Sequence, residues 1–292
     1  MTRTEMPSQP PAHPGNSGDL GFADAELRHG LANGQFRLIY QPKLNIRKGC
    51  VDSVEGLIRW DHPDEGLMLP DKFISRCEAT GSIADLTLWT MECALNDRAT
   101  FANAGRDISI FINLSAQLLT EERTVAALCD IARSGAAGMG VEVTERSMIL
   151  DPTLAFANIR RLRESGLKIA IDDYGSGLSS LTYLKQIEAD ELKIDKSFIT
   201  SLGTSHRDPL IVRSTIDLAH ALEMAVTAEG VETPAARALL SVMGCDMLQG
   251  YLIGRPMRPE ALLEYLASFD PDAQSTPNDG RVLRDHKFWK RA

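Results

Sequence analysis

Between residues 21 and 270 the chain alternates between two hydrophobic rhythms. Short apolar runs bounded by turn residues read as strands: Phe36–Gln41, Val51–Ile58, Ile108–Leu114, Gly140–Thr144, Leu167–Asp172, Glu191–Ile194, Ala225–Glu229 and Asp246–Gln249. Amphipathic stretches between them read as helices. Pro70 opens Asp71–Glu78, Asp151-Pro152 precedes Thr153–Glu164, Pro209 opens Leu210–Leu222, and Thr233-Pro234 opens Ala235–Met243. Proline suits these positions because an N–H in the first helical turn has no intrahelical partner. Eight strands alternating with helices over roughly 250 residues predict an α/β fold, a (β/α)8 TIM-like barrel. The first two strands are separated only by the turn around Asn45-Ile46-Arg47-Lys48-Gly49, whereas a parallel pair needs a crossover of about a dozen residues or more. The barrel therefore has an antiparallel first strand. The competing architecture, an open doubly wound sheet, finds no GxGxxG strand-to-helix turn in the chain.

Outside this region the pattern fails. Residues 1–20 hold four prolines among Ser, Gly and Gln, and are expected to form a disordered tail or linker. Residues 271–292 read as a polar C-terminal tail, and 21–270 as one folded domain. The 292 residues carry 31 Lys+Arg against 40 Asp+Glu, a net charge of −9 that argues against a partner of DNA or RNA. No apolar run is long enough for a membrane span, and the N-terminal residues lack the apolar stretch of a signal peptide, so the expected location is cytoplasmic. The five cysteines are scattered and never in CxxC spacing, which disfavours a zinc site or a disulfide framework.

Polar residues recur at or just past the C-terminal ends of the predicted strands. They are Glu55 and Arg59 in VEGLIRW, Asn113 in FINLS, Glu142 and Glu145 in VEVTE, Asp172 and Asp173 in IAIDDYGSG, Lys193 and Asp195 in LKID, Glu229 and Glu232 in AEGVE, and Gln249 in LQGY. In a barrel these ends meet at one mouth. Any one acid alone reads as a helix cap or a solvated strand end. Together, several carboxylates within apolar strands would repel one another unless a cation sat among them. Carboxylates and one amide suit Mg2+ or Mn2+, and the adjacent Asp172-Asp173 pair can serve two ions at once. Gly175-Ser176-Gly177 lacks the lysine of a phosphate-binding P-loop. A Schiff-base role for Lys193 would require a desolvated pocket, which the surrounding acids disfavour. His62, between Asp61 and Pro63, reads as a turn residue rather than a ligand.

These motifs, with DDYGSGLSS, LKIDKSFI, AEGVET and LQGYLIGRP, resemble the EAL-domain family of bacterial cyclic di-GMP phosphodiesterases from about Leu27 to about Leu266. The resemblance implies hydrolysis of one phosphodiester of cyclic di-GMP to linear pGpG with two divalent cations, Mg2+ or Mn2+. It places Glu55, Asn113, Glu142, Asp172 and Asp173 as metal ligands, with Glu55, Lys193 and Glu229 as catalytic residues. Lys193 would orient the attacking water and Glu229 would assist as a metal-shell or base residue. Gln41, Arg59 and Gln249 would bind substrate, and Glu145 would anchor the loop Tyr174–Ser180. A homodimer formed near that loop, and a sensory domain or regulatory protein partner, are also implied. Family members that have lost metal ligands act instead as silent cyclic di-GMP receptors; here the expected ligands are all present. The chain departs from the family pattern at Gly56, where the signature has Ala, and at Leu178, where an aromatic ring is usual, with Tyr174 and Ser176 as near-equivalents.

Overall fold

The computed structural model describes residues 17–135, 137–145, 151–175 and 184–271. Helix α1 (Ser17–Ala32) leads into β1 (Phe36–Asn45), a tight turn, β2 (Cys50–His62) and the short β3 (Gly66–Met68). There follow α2 (Ile74–Thr80), α3 (Ile83–Asn103), β4 (Ser109–Leu114), α4 (Glu122–Arg133), β5 (Met139–Thr144), α5 (Pro152–Glu164), β6 (Lys168–Tyr174) and β7 (Glu191–Ile194). The remaining elements are α6 (Lys196–Thr200), α7 (Asp208–Ala221), β8 (Ala225–Ala228), α8 (Pro234–Met243), β9 (Met247–Gln249) and α9 (Pro259–Ser268). All eight expected strands form.

The strand order is β1-β9-β8-β7-β6-β5-β4-β2-β3, and an additional β1–β2 pairing closes eight of the strands into a barrel with β3 outside it. β1 runs antiparallel to both β2 and β9, while the other barrel neighbours are parallel. The antiparallel first strand inferred from the short turn is therefore present. Closure also removes the exposed edges that an open sheet would leave to pair with other chains.

Each barrel strand is buried on both faces, with a different chemistry on each. Val141, Val143, Ile169, Ile171, Leu192, Ile194, Val226 and Ala228 belong to one apolar core with the buried faces of the helices. Full burial of one such Val, Leu or Ile stabilises by roughly 1.5–3 kcal/mol. The alternate positions, including Glu142, Asp172, Lys193 and Thr227, turn inward, so the barrel lumen is polar. Asp151 caps α5 by accepting the Leu154 N–H at 3.1 Å, and Thr233 caps α8 by accepting that of Ala236 at 3.2 Å.

Three expectations need adjusting. The helix expected over Asp71–Glu78 divides into a 3-10 turn, Pro70–Lys72, and α2, because Phe73 leaves helical backbone (φ −131°) between them. The Phe73 ring packs edge-on against Phe36 and Trp60 at 5.8 and 5.7 Å. Helix α1 begins at Ser17 and so takes in residues 17–20, which the sequence pattern assigned to the tail. The long α3 was not singled out from sequence because it buries Thr87 and Thr90 beside Leu86 and Met91, which blurs its apolar stripe. Residues 1–16, and the C-terminal tail beyond Pro271, lie outside the described residues. His62 has the turn role expected of it. Its Nδ1 accepts the N–H groups of Asp64 and Glu65 at 3.2 and 3.1 Å, leaving Nε2 to donate to Glu26 at 2.8 Å.

Candidate active site at the barrel mouth

Because the inward positions of neighbouring strands share a level, side chains from seven strands, and that of Glu229 just past β8, converge near the C-terminal ends of the parallel strands. Lys193 of β7 is 1% exposed. Its ammonium lies 2.9 Å from Asp172 Oδ1, 2.7 Å from Glu229 Oε1 and 3.5 Å from Glu55 Oε2, and it donates to Glu142 Oε2. Glu55 on β2 is held by amides on either side: Asn113 of β4 donates to its Oε1 at 2.8 Å and Gln249 of β9 to its Oε2 at 2.6 Å. Gln249 also reaches Gln41 of β1 at 3.3 Å. Gly250 makes this turn sterically feasible, since a Cβ there would stand 2.2 Å from the Val231 carbonyl oxygen.

The charges bias one another strongly. Burial alone would raise the Glu55 carboxyl, but the ammonium groups of Lys193 and Lys43 and the two amide donors hold it down to about 2. Burial pushes Glu142 up to about 8 against the opposing pull of the same two lysines. It likewise pushes Glu229 up to about 7, helped by Asp172 and Glu55 and opposed by Lys193. Burial would lower the Lys193 ammonium, yet Glu142, Glu55, Glu229 and Asp172 hold it well above its ordinary range. The carboxyl of Asp173 is raised by burial and then by Asp172 and Asp195.

The mouth has acceptor capacity to spare. Asp172, Asp173 and Glu229 each offer an oxygen within 4.8 Å of the others. Gln249 Oε1 is buried and accepts no hydrogen bond, and Asp172 Oδ1, 2.9 Å from the Lys193 ammonium, has no other partner. Such a donor set, hard oxygens short of positive charge, fits a divalent cation. Asp173 sits at φ 54°, a left-handed conformation that Asp tolerates better than most residues, where β6 breaks register with β7. Next to it, the Gly175 N–H donates to Glu145 Oε2 at 3.3 Å. Ser176, Leu178 and the rest of the loop through Ser180 lie outside the described residues. A cleft of about 270 Å³ opens over this cluster, lined by Gln41, Glu55, Glu229, Gln249 and Tyr251 among others.

Thus Gln41, Glu55, Asn113, Glu142, Asp172, Asp173, Lys193, Glu229 and Gln249 come together at one place. Arg59 does not join them directly. It lies further along β2, half-buried, and donates to the Ile58 carbonyl at 2.7 Å. Below the cluster lie polar residues that the sequence reading passed over: Lys43, Glu191 and Thr227. The available signal was charge at the pleat period, since Lys43 follows Gln41 by two positions and Glu191 precedes Lys193 by two.

Comparison with known proteins agrees with the geometry. The chain is 38% identical over 254 residues to the cyclic di-GMP phosphodiesterase NbdA of Pseudomonas aeruginosa, covering 86% of this chain and 32% of the relative. It is 37% identical over 250 residues to the bifunctional diguanylate cyclase/cyclic di-GMP phosphodiesterase MucR of the same organism, covering 83% and 36%. The chain thus spans about a third of the length of these relatives. Among solved structures, the PaMucR phosphodiesterase in complex with c-di-GMP superposes with a TM-score of 0.77 at 36% identity, covering 82% of this chain and 99% of that one. The EAL enzyme Bd1971, in its form bound to cAMP and cyclic di-GMP, gives 0.79 at 30% identity, covering 86% and 69%. The EAL domain model matches residues 24–256, and on that match, with the barrel and its acidic mouth, the chain belongs to the EAL domain family.

Proposed function

We propose that this chain hydrolyses one phosphodiester bond of cyclic di-GMP to linear pGpG in a reaction that depends on divalent cations. The observation that carries the reading is the convergence of Glu55, Glu142, Asp172 and Glu229 on one buried lysine, with acceptor oxygens left over. Relatives named as cyclic di-GMP phosphodiesterases, and a relative's complex with that dinucleotide, support the choice of substrate.

In this reading Glu55, Asn113, Glu142, Asp172 and Asp173 hold two ions, Mg2+ or Mn2+. When bound, such ions make a nucleophile available at neutral pH and offset charge on the phosphoryl oxygens. The chain supplies the rest. Asn113 and Gln249 fix the Glu55 carboxylate from both sides, so its position is set before substrate arrives. Lys193 orients the attacking water by donating from the floor of the cluster. Glu229, whose carboxyl burial raises above its ordinary range, can take up a proton from that water. Water adds to phosphorus, one P–O ester bond breaks, the leaving sugar oxygen takes up a proton to become a free hydroxyl, and the ring opens. Gln41 and Gln249 line the cleft where the dinucleotide would lie, and Arg59, further along β2, would offer a planar fork to a phosphate. Glu145 anchors the start of the loop after β6 through Gly175. A homodimer and a regulatory partner acting through that loop belong to the same reading.

The thiols of all five cysteines are free, and a cytoplasmic location belongs to the same reading. No helix among the described residues is long and apolar enough to cross a membrane. The test is incubation of the chain with cyclic di-GMP, with Mg2+, with Mn2+ and with chelator, followed by chromatography of the products. Metal-dependent appearance of pGpG is expected. Tight binding of the dinucleotide with no product under any condition would overturn the catalytic reading in favour of a silent receptor.

A further inference from the structure

Beneath the mouth, the barrel lumen is crossed by a second polar layer that makes no contact with the cleft. Lys43 of β1 is its centre and is 0% exposed. Its ammonium donates to Glu142 Oε1 at 2.8 Å and to Glu191 Oε1 at 2.9 Å, and lies 4.2 Å from the centroid of the Phe111 ring. Thr227 of β8 donates to the same Glu191 oxygen at 2.6 Å, which fixes Glu191 in turn. The two oxygens of Glu142 are thereby divided, Oε1 to Lys43 below and Oε2 to Lys193 above.

We propose that Lys43, braced by Glu191 and Thr227, is a positioning residue that sets the orientation of Glu142 for metal binding. Lys43 lines no part of the mouth cleft and cannot touch substrate. A lysine buried there carries a desolvation cost that a methionine of similar length would avoid, so its presence calls for a role beyond packing. Glu142 hangs on a flexible side chain, and a carboxylate that must meet a cation at a set angle gains from a second partner that holds its other oxygen. The residue comes from β1, the strand that runs antiparallel to both of its barrel neighbours, whose pleat presents Gln41 to the cleft and Lys43 one step deeper.

The inference rests on the reading of Glu142 as a metal ligand, and calorimetric titration of the metal-free protein with Mn2+ tests the two separately. Lys43→Met removes a cation close to the site, so an effect of charge alone would tighten Mn2+ binding. Loss of positioning weakens it, by about tenfold or more. Lys43→Met leaves two buried carboxylates short of a partner. The double variant Lys43→Met/Glu191→Gln keeps the net charge of the layer unchanged and decides the matter should the single variant fail to fold. In the double variant Mn2+ affinity is expected to fall about tenfold. At saturating Mn2+, kcat for cyclic di-GMP is expected to fall while KM stays within about twofold. Mn2+ affinity in the folded double variant within about twofold of wild type, or tighter binding in the folded single variant, overturns the positioning role while the metal reading stands. A wild-type protein that takes up no Mn2+ overturns both.

Discussion

The two ends of the barrel are both charged and both hollow, yet only one is built for chemistry. At the N-terminal end the cavity is the larger, about 620 Å³ against about 270 Å³ at the mouth. Most of its rim charges have local partners: Lys48 pairs with Asp52 at 2.7 Å and Arg98 with Asp107 at 3.0 Å, Asp190 accepts the Ile169 N–H at 2.9 Å, and Lys168 reaches the Ser109 hydroxyl at 3.4 Å. The buried polar atoms left without a partner there are Ser53 Oγ and Arg98 Nε, a hydroxyl and a guanidinium N–H. At the mouth the spare atoms are acceptors, and four carboxylates share one ammonium. A surplus of acceptors around a buried cluster draws in a cation, whereas locally neutral pairs at a rim leave little unmet demand. The size of a hollow therefore says less about its chemistry than the balance of charge in its walls.

The largest effects that would test this contrast are at the mouth. Glu55→Ala, Asn113→Ala or Asp172→Asn is expected to lower turnover of cyclic di-GMP by about 10³-fold or more while unfolding stays cooperative by circular dichroism. Near wild-type turnover in any of them would remove that residue from the set of ligands. Lys193→Ala is expected to reduce kcat by about 10²-fold or more with a much smaller change in KM, because a group acting on the water contributes mainly in the transition state. The same change leaves Glu55, Asp172 and Glu229 without their ammonium and Glu142 with Lys43 alone, and is expected to cost the metal-free protein about 3–5 kcal/mol in denaturant unfolding. A rise in KM at constant kcat would make Lys193 a simple phosphate contact.

Smaller effects sharpen the comparison further. Glu145→Ala frees the Gly175 N–H and is expected to raise the Mg2+ concentration for half-maximal activity several-fold, with kcat at saturation little changed. If the family's dimer contact depends on the same loop, sedimentation of this variant should shift toward monomer. Unchanged values in both measurements would show that the loop is not coupled to the metals. At the opposite end, Lys48→Ala and Asp107→Asn break exposed pairs and are expected to change stability by about 1 kcal/mol or less and activity by less than about twofold. A tenfold loss of activity in either would mean that the larger cavity takes part in function after all. The smallest effect concerns Gly56, where an added Cβ would meet Ile112 Cγ2 and Tyr40 Cε1 at 3.4 Å, ordinary contact distances. Gly56→Ala is expected to raise stability by about 0.5–1 kcal/mol with turnover unchanged, through reduced freedom of the unfolded chain.

Much of this molecule can be read along the chain because its strands are short, apolar and punctuated. A turn as brief as Asn45–Gly49 admits only one relative direction for β1 and β2, so the antiparallel start of the barrel follows from chain length alone. Polar residues within or just after apolar strands are equally visible against their neighbours, which is why Glu55, Asn113, Glu142, Asp172, Lys193 and Glu229 stand out before any coordinates. What the linear pattern leaves open is partnership across the closed lumen. Lys43 and Glu142 are 99 positions apart and Lys43 and Glu191 are 148 apart, and no local periodicity ties them together. Arg59 shares a motif with Glu55 but bonds to its own strand's backbone, since two pleats along β2 separate it from the cluster. Alternation decides which side chains turn inward; barrel closure and stagger decide which of them meet, because only the folded register brings eight strands to common levels.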